Sequence, residues 1–189
     1  MEELAARWKG GRLLNIGCGH GPDFLPFKDK LELYGLDFSR EMLEYAGKYA
    51  RKFQFSPHLV LGDAAALPFR DGSFDFALSV ATYHHIQGKE ERQQAFRELY
   101  RVLEPGGEAF ITVWNRWQPR FFFRGKEVRV PWRLREGVVY RYFYLYRPGE
   151  LEAELRRAGF HTTAQGFPFL RAFSRNITVQ VAKGEGKGA

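Results

Sequence analysis

Residues 13–21 read Leu-Leu-Asn-Ile-Gly-Cys-Gly-His-Gly, an apolar strand that runs straight into a loop with glycines at 17, 19 and 21. Further on, Tyr34-Gly-Leu-Asp37 puts a carboxylate at the end of the next apolar run. A parallel α/β sheet uses this pair of features to hold a nucleotide-like cofactor at its carboxyl edge. The glycine spacing then selects among cofactors. A dinucleotide fingerprint needs glycine at position 22, where the chain has Pro22, and no Gly-Lys-Ser/Thr follows as a Walker phosphate loop requires. Alternate glycines without a phosphate-binding helix start fit a cofactor that carries an adenosine and no phosphate, S-adenosylmethionine. Gly17, Gly19 and Gly21 let the backbone approach it closely, and Asp37 can accept from both ribose hydroxyls. The competing reading is a tight strand–helix turn with no ligand, which gives the spacing of Asp37 no purpose.

The elements that must position these residues alternate along the chain. A short amphipathic helix over Glu2–Trp8 precedes a strand at Leu13–Ile16, and Leu31–Leu36 forms the second strand. Ser39 caps a helix that runs to about Tyr49, with Met42, Leu43, Tyr45, Ala46 and Tyr49 as its apolar stripe. His58–Leu61 is a short third strand ending at Gly62-Asp63, and Phe74–Val80 is nearly all apolar, as a central parallel strand should be. A helix follows over about Lys89–Leu103, stopped by a turn at Glu104-Pro-Gly-Gly107. A fifth strand spans Glu108–Trp114, a last long helix Glu150–Ala158, and strands near Phe160–Phe167 and Ile177–Ala182 close the sheet as an antiparallel pair. This alternation predicts an α/β fold, doubly wound and mainly parallel, with the final strand antiparallel.

Composition bounds the rest. With 189 residues and 44% hydrophobic content, the chain suits one domain over residues 1–189 with a sizeable core, and residues 184–189 read as a frayed tail. No apolar run approaches 18 residues and no leader is visible, which points to a soluble, cytoplasmic protein with no membrane role. The single cysteine, Cys18, excludes an internal disulfide and a cysteine-cluster metal site, and its place in the glycine loop reads as packing. The histidines are scattered apart from His84-His85, so no metal is expected.

Four motifs together carry a resemblance. Ile16-Gly-Cys-Gly-His-Gly21, Gly62-Asp-Ala-Ala-Ala-Leu-Pro-Phe69, Asp71-Gly-Ser-Phe-Asp75 and Leu103-Glu-Pro-Gly-Gly107 resemble the successive motifs of class I S-adenosylmethionine-dependent methyltransferases, from about residue 10 to 183. The resemblance implies a seven-stranded Rossmann-like sheet, with Gly17, Gly19 and Gly21 along the methionine part of the cofactor and Asp37 on the ribose. It also implies that Asp63 and the Ala64 backbone bind the adenine, with Phe38 and Val80 among the lining residues. The family usually carries an acid where this chain has Asn15, whose amide oxygen can still accept from the cofactor's ammonium.

The acceptor is addressed by residues 116–147. They hold nine basic residues against two acidic ones, an excess equal to the whole chain's net charge of +7, together with ten aromatics. Arginines interleaved with aromatics suit a polyanion with splayed bases, by phosphate neutralisation and stacking. The plain alternative is a solvated lid whose aromatics pack on the sheet over a small substrate. Val128-Arg-Val-Pro-Trp132 and Tyr140-Arg-Tyr-Phe-Tyr-Leu-Tyr-Arg-Pro-Gly-Glu-Leu151 are similar to the substrate side of the tRNA carboxymethyluridine methyltransferases, as are Ser79–Ile86 and Val113-Trp114. The chain departs from that family at Tyr144, where a histidine is common, and at Arg175–Val179, which lacks a usual tryptophan. The resemblance implies esterification of a carboxymethyl group on the wobble uridine of tRNA. It also implies a small zinc-binding activator protein, which would pair with the exposed third-strand edge near Phe53, Phe55 and Leu59. A carboxylate acceptor needs no base, so the expected working groups orient it: Arg141 first, beside Tyr142, then Arg116 just past the fifth strand. His84 and His85, expected at the end of the fourth strand, divide between polar packing and acceptor contact, and one becomes a base if the acceptor is a ring atom. A small-molecule C- or O-methyltransferase with an aromatic lid, and a non-catalytic adapter that keeps the fold, remain as alternatives.

Overall fold

The computed structural model describes residues 1–134, 137–164 and 174–185. After α1 (Glu2–Arg7), β1 (Arg12–Ile16) leads through the glycine loop and a 3-10 turn at Pro22–Phe27 to β2 (Glu32–Asp37), α2 (Arg40–Lys52) and β3 (His58–Leu61). β4 (Phe74–Val80), a one-turn 3-10 helix at Tyr83–His85, α3 (Lys89–Val102) and β5 (Leu103–Trp114) follow. Next come β6 (Glu127–Leu134), β7 (Gly137–Tyr144), α4 (Glu150–Arg157), β8 (His161–Ala164) and β9 (Asn176–Ala182). Seven strands form one sheet in the order β3-β2-β1-β4-β5-β9-β8, and β6 and β7 form a separate antiparallel ribbon. β1 to β5 pair in parallel, and β9 runs antiparallel to both β5 and β8. The strand order reverses between β1 and β4, and ligands of open parallel sheets bind in the crevice outside that switch point.

Period-two alternation sends neighbouring β1 residues to opposite faces. Leu14 and Ile16 join a cluster with Phe96, Leu99 and Val102 of α3 and Leu151 and Leu155 of α4. Leu13 joins Trp8 of α1, Phe24 and Phe27 of the 3-10 turn, and Ala50 of α2. Ser39 starts α2 by accepting from the Met42 N–H at 3.3 Å, and Arg51 and Lys52 sit favourably in its last turn.

Two expectations change. Glu104–Gly107 is not a turn: β5 already begins at Leu103, which pairs with Phe74, and the register slips before Phe76 meets Glu108. Gly106, at φ +83°, takes up the irregularity within one continuous strand. The second change is the β6–β7 ribbon inside the basic segment. Its alternation is hidden in sequence because arginines and aromatics occupy both faces, and Pro131 argues against a strand unless it lies on an edge. The expected strand at Phe160–Phe167 is seen as β8, its residues beyond 164 lying outside the described residues, as does the tail from 186.

Burial sets a test of this layering. Leu99 is fully buried whereas Leu61, on the β3 edge, is 47% exposed. Leu99→Ala should destabilise by about 2–5 kcal/mol in urea unfolding, and Leu61→Ala by less than about 0.5 kcal/mol. Equal losses would contradict the placement of β3 at an open edge.

Candidate active site

The carboxyl ends of β1, β2 and β4 meet at one cradle. Gly17 has φ +70°, and a Cβ there would lie 2.1 Å from Thr82 Oγ1, so only glycine lets the loop after β4 cross the loop after β1. The crossing is fastened by the Thr82 hydroxyl donating to Ile16 O at 3.1 Å. Ala81, at φ +59°, is held in that left-handed conformation by its N–H, which reaches Thr112 Oγ1 at 3.0 Å. Such backbone strain persists only where surrounding structure imposes it, and it gathers at binding sites. A Cβ on Gly19 would instead meet open space.

Asp37 is buried and accepts from the Gly19 N–H at 2.8 Å and the Ser39 N–H at 2.9 Å, one on each carboxylate oxygen. Each oxygen keeps a lone pair for a further donor such as a ribose hydroxyl. Phe38, the next residue, is 83% exposed, an uncovered ring face at the crevice. Asp63 accepts from the Ala65 N–H at 2.8 Å, beside buried Ala64. Arg101 of α3 braces the loop that follows Asp63 by donating to Leu67 O, Phe69 O, Asp71 and Glu98, while Glu98 accepts from the Leu67 N–H. Val80 closes β4 beside this crevice, half-buried. Gly21, at φ +87°, starts the 3-10 turn.

Asn15 is fully buried and neither atom of its amide has a partner. Leaving such groups unsatisfied costs about 1–3 kcal/mol each. An unpartnered donor and acceptor beneath the glycine loop, open space at Gly19, a half-used carboxylate and a bare aromatic ring together fit a ligand with an ammonium group, a ribose and an adenine. Burial pushes the Cys18 thiol up to about 12, so this side chain packs and is no nucleophile.

Beyond the cradle, Tyr83–His85 faces the ribbon. His84 is not at the end of β4 but in the following turn, fully buried, with Nδ1 accepting from the Trp114 N–H at 3.1 Å. That bond fixes the proton on Nε2, which has no partner, and burial and His85 together push its pKa down to about 3. His84 is therefore a neutral packing group, stacked on Phe143 at 5.3 Å, and is removed from acceptor contact. His85 is exposed, and its Nδ1–H donates to Tyr142 O at 2.9 Å, which leaves Nε2 as a free acceptor. Its pKa is lowered by desolvation, against the Tyr142 bond, and further by the Arg141 charge.

Arg141 is exposed, with its guanidinium 4.2 Å from the centre of the Trp132 ring. Arg116 is half-buried and donates to Arg124 O at 3.1 Å, so its fork is partly engaged. The Tyr142 hydroxyl is buried, with Glu127 and Arg92 beside it. The structure thus brings Arg141 and His85 together on the ribbon face that carries Phe143, turns the Tyr142 ring to the opposite face, and sets Arg116 on the segment that leaves β5.

Sequence reasoning missed Arg92. It is 3% exposed, forms no ion pair among the described residues, stacks on Tyr144 at 3.7 Å and donates to Ile86 O at 3.3 Å. Tyr144 in turn shares Glu150 with Lys126, and the Tyr146 hydroxyl donates to Glu154. This network ties the ribbon's root to α3 and α4. The signal was present: Arg92 shares a helical face with Ala95, Phe96 and Leu99, all buried.

Residues 14–111 match the family described as "Methyltransferase domain". The chain belongs to that family. S-adenosylmethionine is its cofactor. Over 123 residues the chain is 34% identical to the "Probable tRNA methyltransferase 9B" of Mus musculus, covering 65% of this chain and 26% of that protein. It is 28% identical over 179 residues to the "tRNA (carboxymethyluridine(34)-5-O)-methyltransferase" of Schizosaccharomyces pombe, covering 82% and 75%. The chain therefore spans about a quarter of the length of the mouse relative and three quarters of the yeast one. In fold it is similar to the PH0226 protein of Pyrococcus horikoshii, with TM-score 0.78, 20% identity and coverage of 96% and 88%. It is also similar to a chain from the complex between the Trm112 methyltransferase activator of Haloferax volcanii and a methyltransferase, with TM-score 0.73, 17% identity and coverage of 100% and 90%.

Two tests follow. Asp37→Asn should weaken cofactor binding at least about tenfold in calorimetric titration, because an amide cannot accept at both atoms; unchanged affinity would remove Asp37 from the site. For His84, the unfolded chain protonates near 6.5 and the folded one only near 3. The unfolded state thus binds more protons in that window, and stability falls as pH drops through it, by up to about 1.4 kcal/mol per unit. His84→Gln should flatten the wild-type decline between those values; parallel curves would show that His84 is not buried neutral.

Proposed function

We propose that the chain methylates a carboxylate carried by a wobble uridine of tRNA, forming a methyl ester, in the cytoplasm. One observation carries this reading: the turn after β4 packs against a ribbon that exposes arginines and aromatics, Arg141 and Trp132 on one face and Tyr140 on the other, that a small apolar acceptor would not need. The relatives named as tRNA methyltransferases support it. Bound at the cradle, the cofactor supplies an electrophilic methyl group on a sulfonium. Gly17 and Gly19 give it close backbone approach, Asn15 meets its ammonium, Asp37 its ribose, and Phe38, Asp63 and Ala64 its adenine.

A carboxylate with an ordinary pKa of about 4 is already ionised at neutral pH, so no proton has to move. The chain's task is orientation and exclusion of water. Arg141 is the first candidate to hold the acceptor carboxylate, because Trp132 fixes the plane of its guanidinium while the N–H edges stay free. His85 offers Nε2 from the facing turn, Arg116 is the second guanidinium, and Tyr142, on the opposite face of β7, would meet the nucleotide rather than the carboxylate.

The same reading includes a small zinc-binding activator protein at the β3 edge. β3 has one unpaired side, and Leu61 and Tyr45 of the neighbouring α2 face are exposed, as strand addition requires. The fold shared with a methyltransferase solved in complex with an activator supports this.

Methyl-labelled cofactor and total tRNA, with and without a zinc-binding activator, test the reaction. Label should enter tRNA and leave as methanol in mild alkali, and Arg141→Ala should cut transfer at least about tenfold with cofactor affinity intact. Alkali-resistant label would overturn the ester, and no transfer to tRNA under either condition would favour a small-molecule acceptor.

A further inference from the structure

Facing residues of the β6–β7 ribbon share a face, which sorts it into two halves. On one face Val128 and Phe143, then Val130 and Arg141, then Trp132 and Val139 lie opposite one another. On the other face the pairs are Glu127 and Tyr144, Arg129 and Tyr142, Pro131 and Tyr140, and Arg133 and Val138. The root is packed: Val128, Val130 and Phe143 cluster with Trp114 and Phe121, and Tyr144 lies on Arg92. The outer half is bare on both faces. Trp132 is 48% exposed, with the Arg141 guanidinium over one side of its ring, and Tyr140 is 63% exposed.

Tyr140 sits directly opposite Pro131 and diagonally between Arg129 and Arg133, close enough for long side chains to meet. Neither arginine forms an ion pair among the described residues, and the described outer half contains no acid. An exposed ribbon of β-branched and aromatic residues invites association, and unpaired arginines select a polyanion as the partner. Aromatics on both faces exclude a flat surface as the target. A-form helices hide their base edges in a deep groove, whereas unpaired nucleotides can stack on both sides of a ribbon while their phosphates meet the arginines.

We infer that the outer half of the β6–β7 ribbon binds unpaired nucleotides of the RNA that carries the acceptor, with Tyr140 and Trp132 as stacking platforms and Arg129 and Arg133 on the phosphates. The inference rests on the tRNA reading and adds a grip on nucleotides that are not methylated. Because the root is fixed to α3 and α4, the ribbon can hold the loop at a set distance from the cofactor.

The test uses the full chain and a fluorescently labelled anticodon stem-loop RNA, with binding followed by anisotropy at several salt concentrations. Tyr140→Thr should weaken binding about fivefold to a hundredfold. Arg133→Gln should lower the slope of log Kd against log salt by about 0.7. Both variants should keep wild-type melting and cofactor affinity, and should raise KM for tRNA without changing kcat. Wild-type RNA affinity in both variants, alongside intact methyl transfer to tRNA by the parent, would overturn the ribbon's role and leave the functional reading standing. A parent that neither binds nor methylates tRNA would overturn both. A dimer dispersed by Tyr140→Thr, with RNA affinity unchanged, would assign the ribbon to a second copy of the chain and also overturn the inference.

Discussion

The contact between Thr82 and Gly17 is the constraint on which the site depends. It joins the ends of β1 and β4, the two strands at which the sheet order reverses, and it does so at a distance that no side chain on residue 17 would permit. Ala81 is bent into a left-handed conformation to make the crossing, and Thr112 of β5 holds it there. Three strands are thereby locked at their carboxyl ends. The strain and the unpartnered amide of Asn15 are costs that packing alone would have removed, and they fall together at the carboxyl ends of β1 and β4.

From that junction the chain passes within a few residues to the ribbon. Tyr83 anchors the turn by stacking on Phe96 at 4.4 Å, His84 plugs it against Trp114, and His85 ties it to Tyr142 of the ribbon. One short segment thus fixes the cofactor cradle, the sheet edge and the ribbon relative to one another. Arg92 completes the arrangement from below, its guanidinium lying on the Tyr144 ring and donating to Ile86 O. The buried cation gives the ribbon's root a defined seat on α3.

Much of this was legible in the residues. The glycines, Asp37 and the alternation of strands and helices announce the sheet, its crevice and its cofactor because local sterics and period-two burial act over short stretches. The basic, aromatic character of residues 116–147 was also visible, but its architecture was not. A ribbon with arginine on both faces shows no apolar stripe, and its pairing partners are set by contacts with Trp114, Phe121 and Arg92. Nor could sequence divide the work between His84 and His85: adjacent in the chain, one is fully buried and the other exposed. The turn rather than the strand decides which ring faces inward. Asn15 illustrates the opposite case. A resemblance marked it as a departure, and the structure shows its amide waiting for partners.

The shape of the cradle depends on the crossing of the β1 and β4 loops. Calorimetric titration of S-adenosylmethionine against Gly17→Ala, Thr82→Ala and the double variant tests it most directly. Gly17→Ala should abolish detectable binding, and adding Thr82→Ala should restore part of it, because the 2.1 and 2.4 Å overlaps are removed while the Cβ contact at 2.8 Å and the strain at φ +70° remain. Wild-type affinity in Gly17→Ala would contradict it.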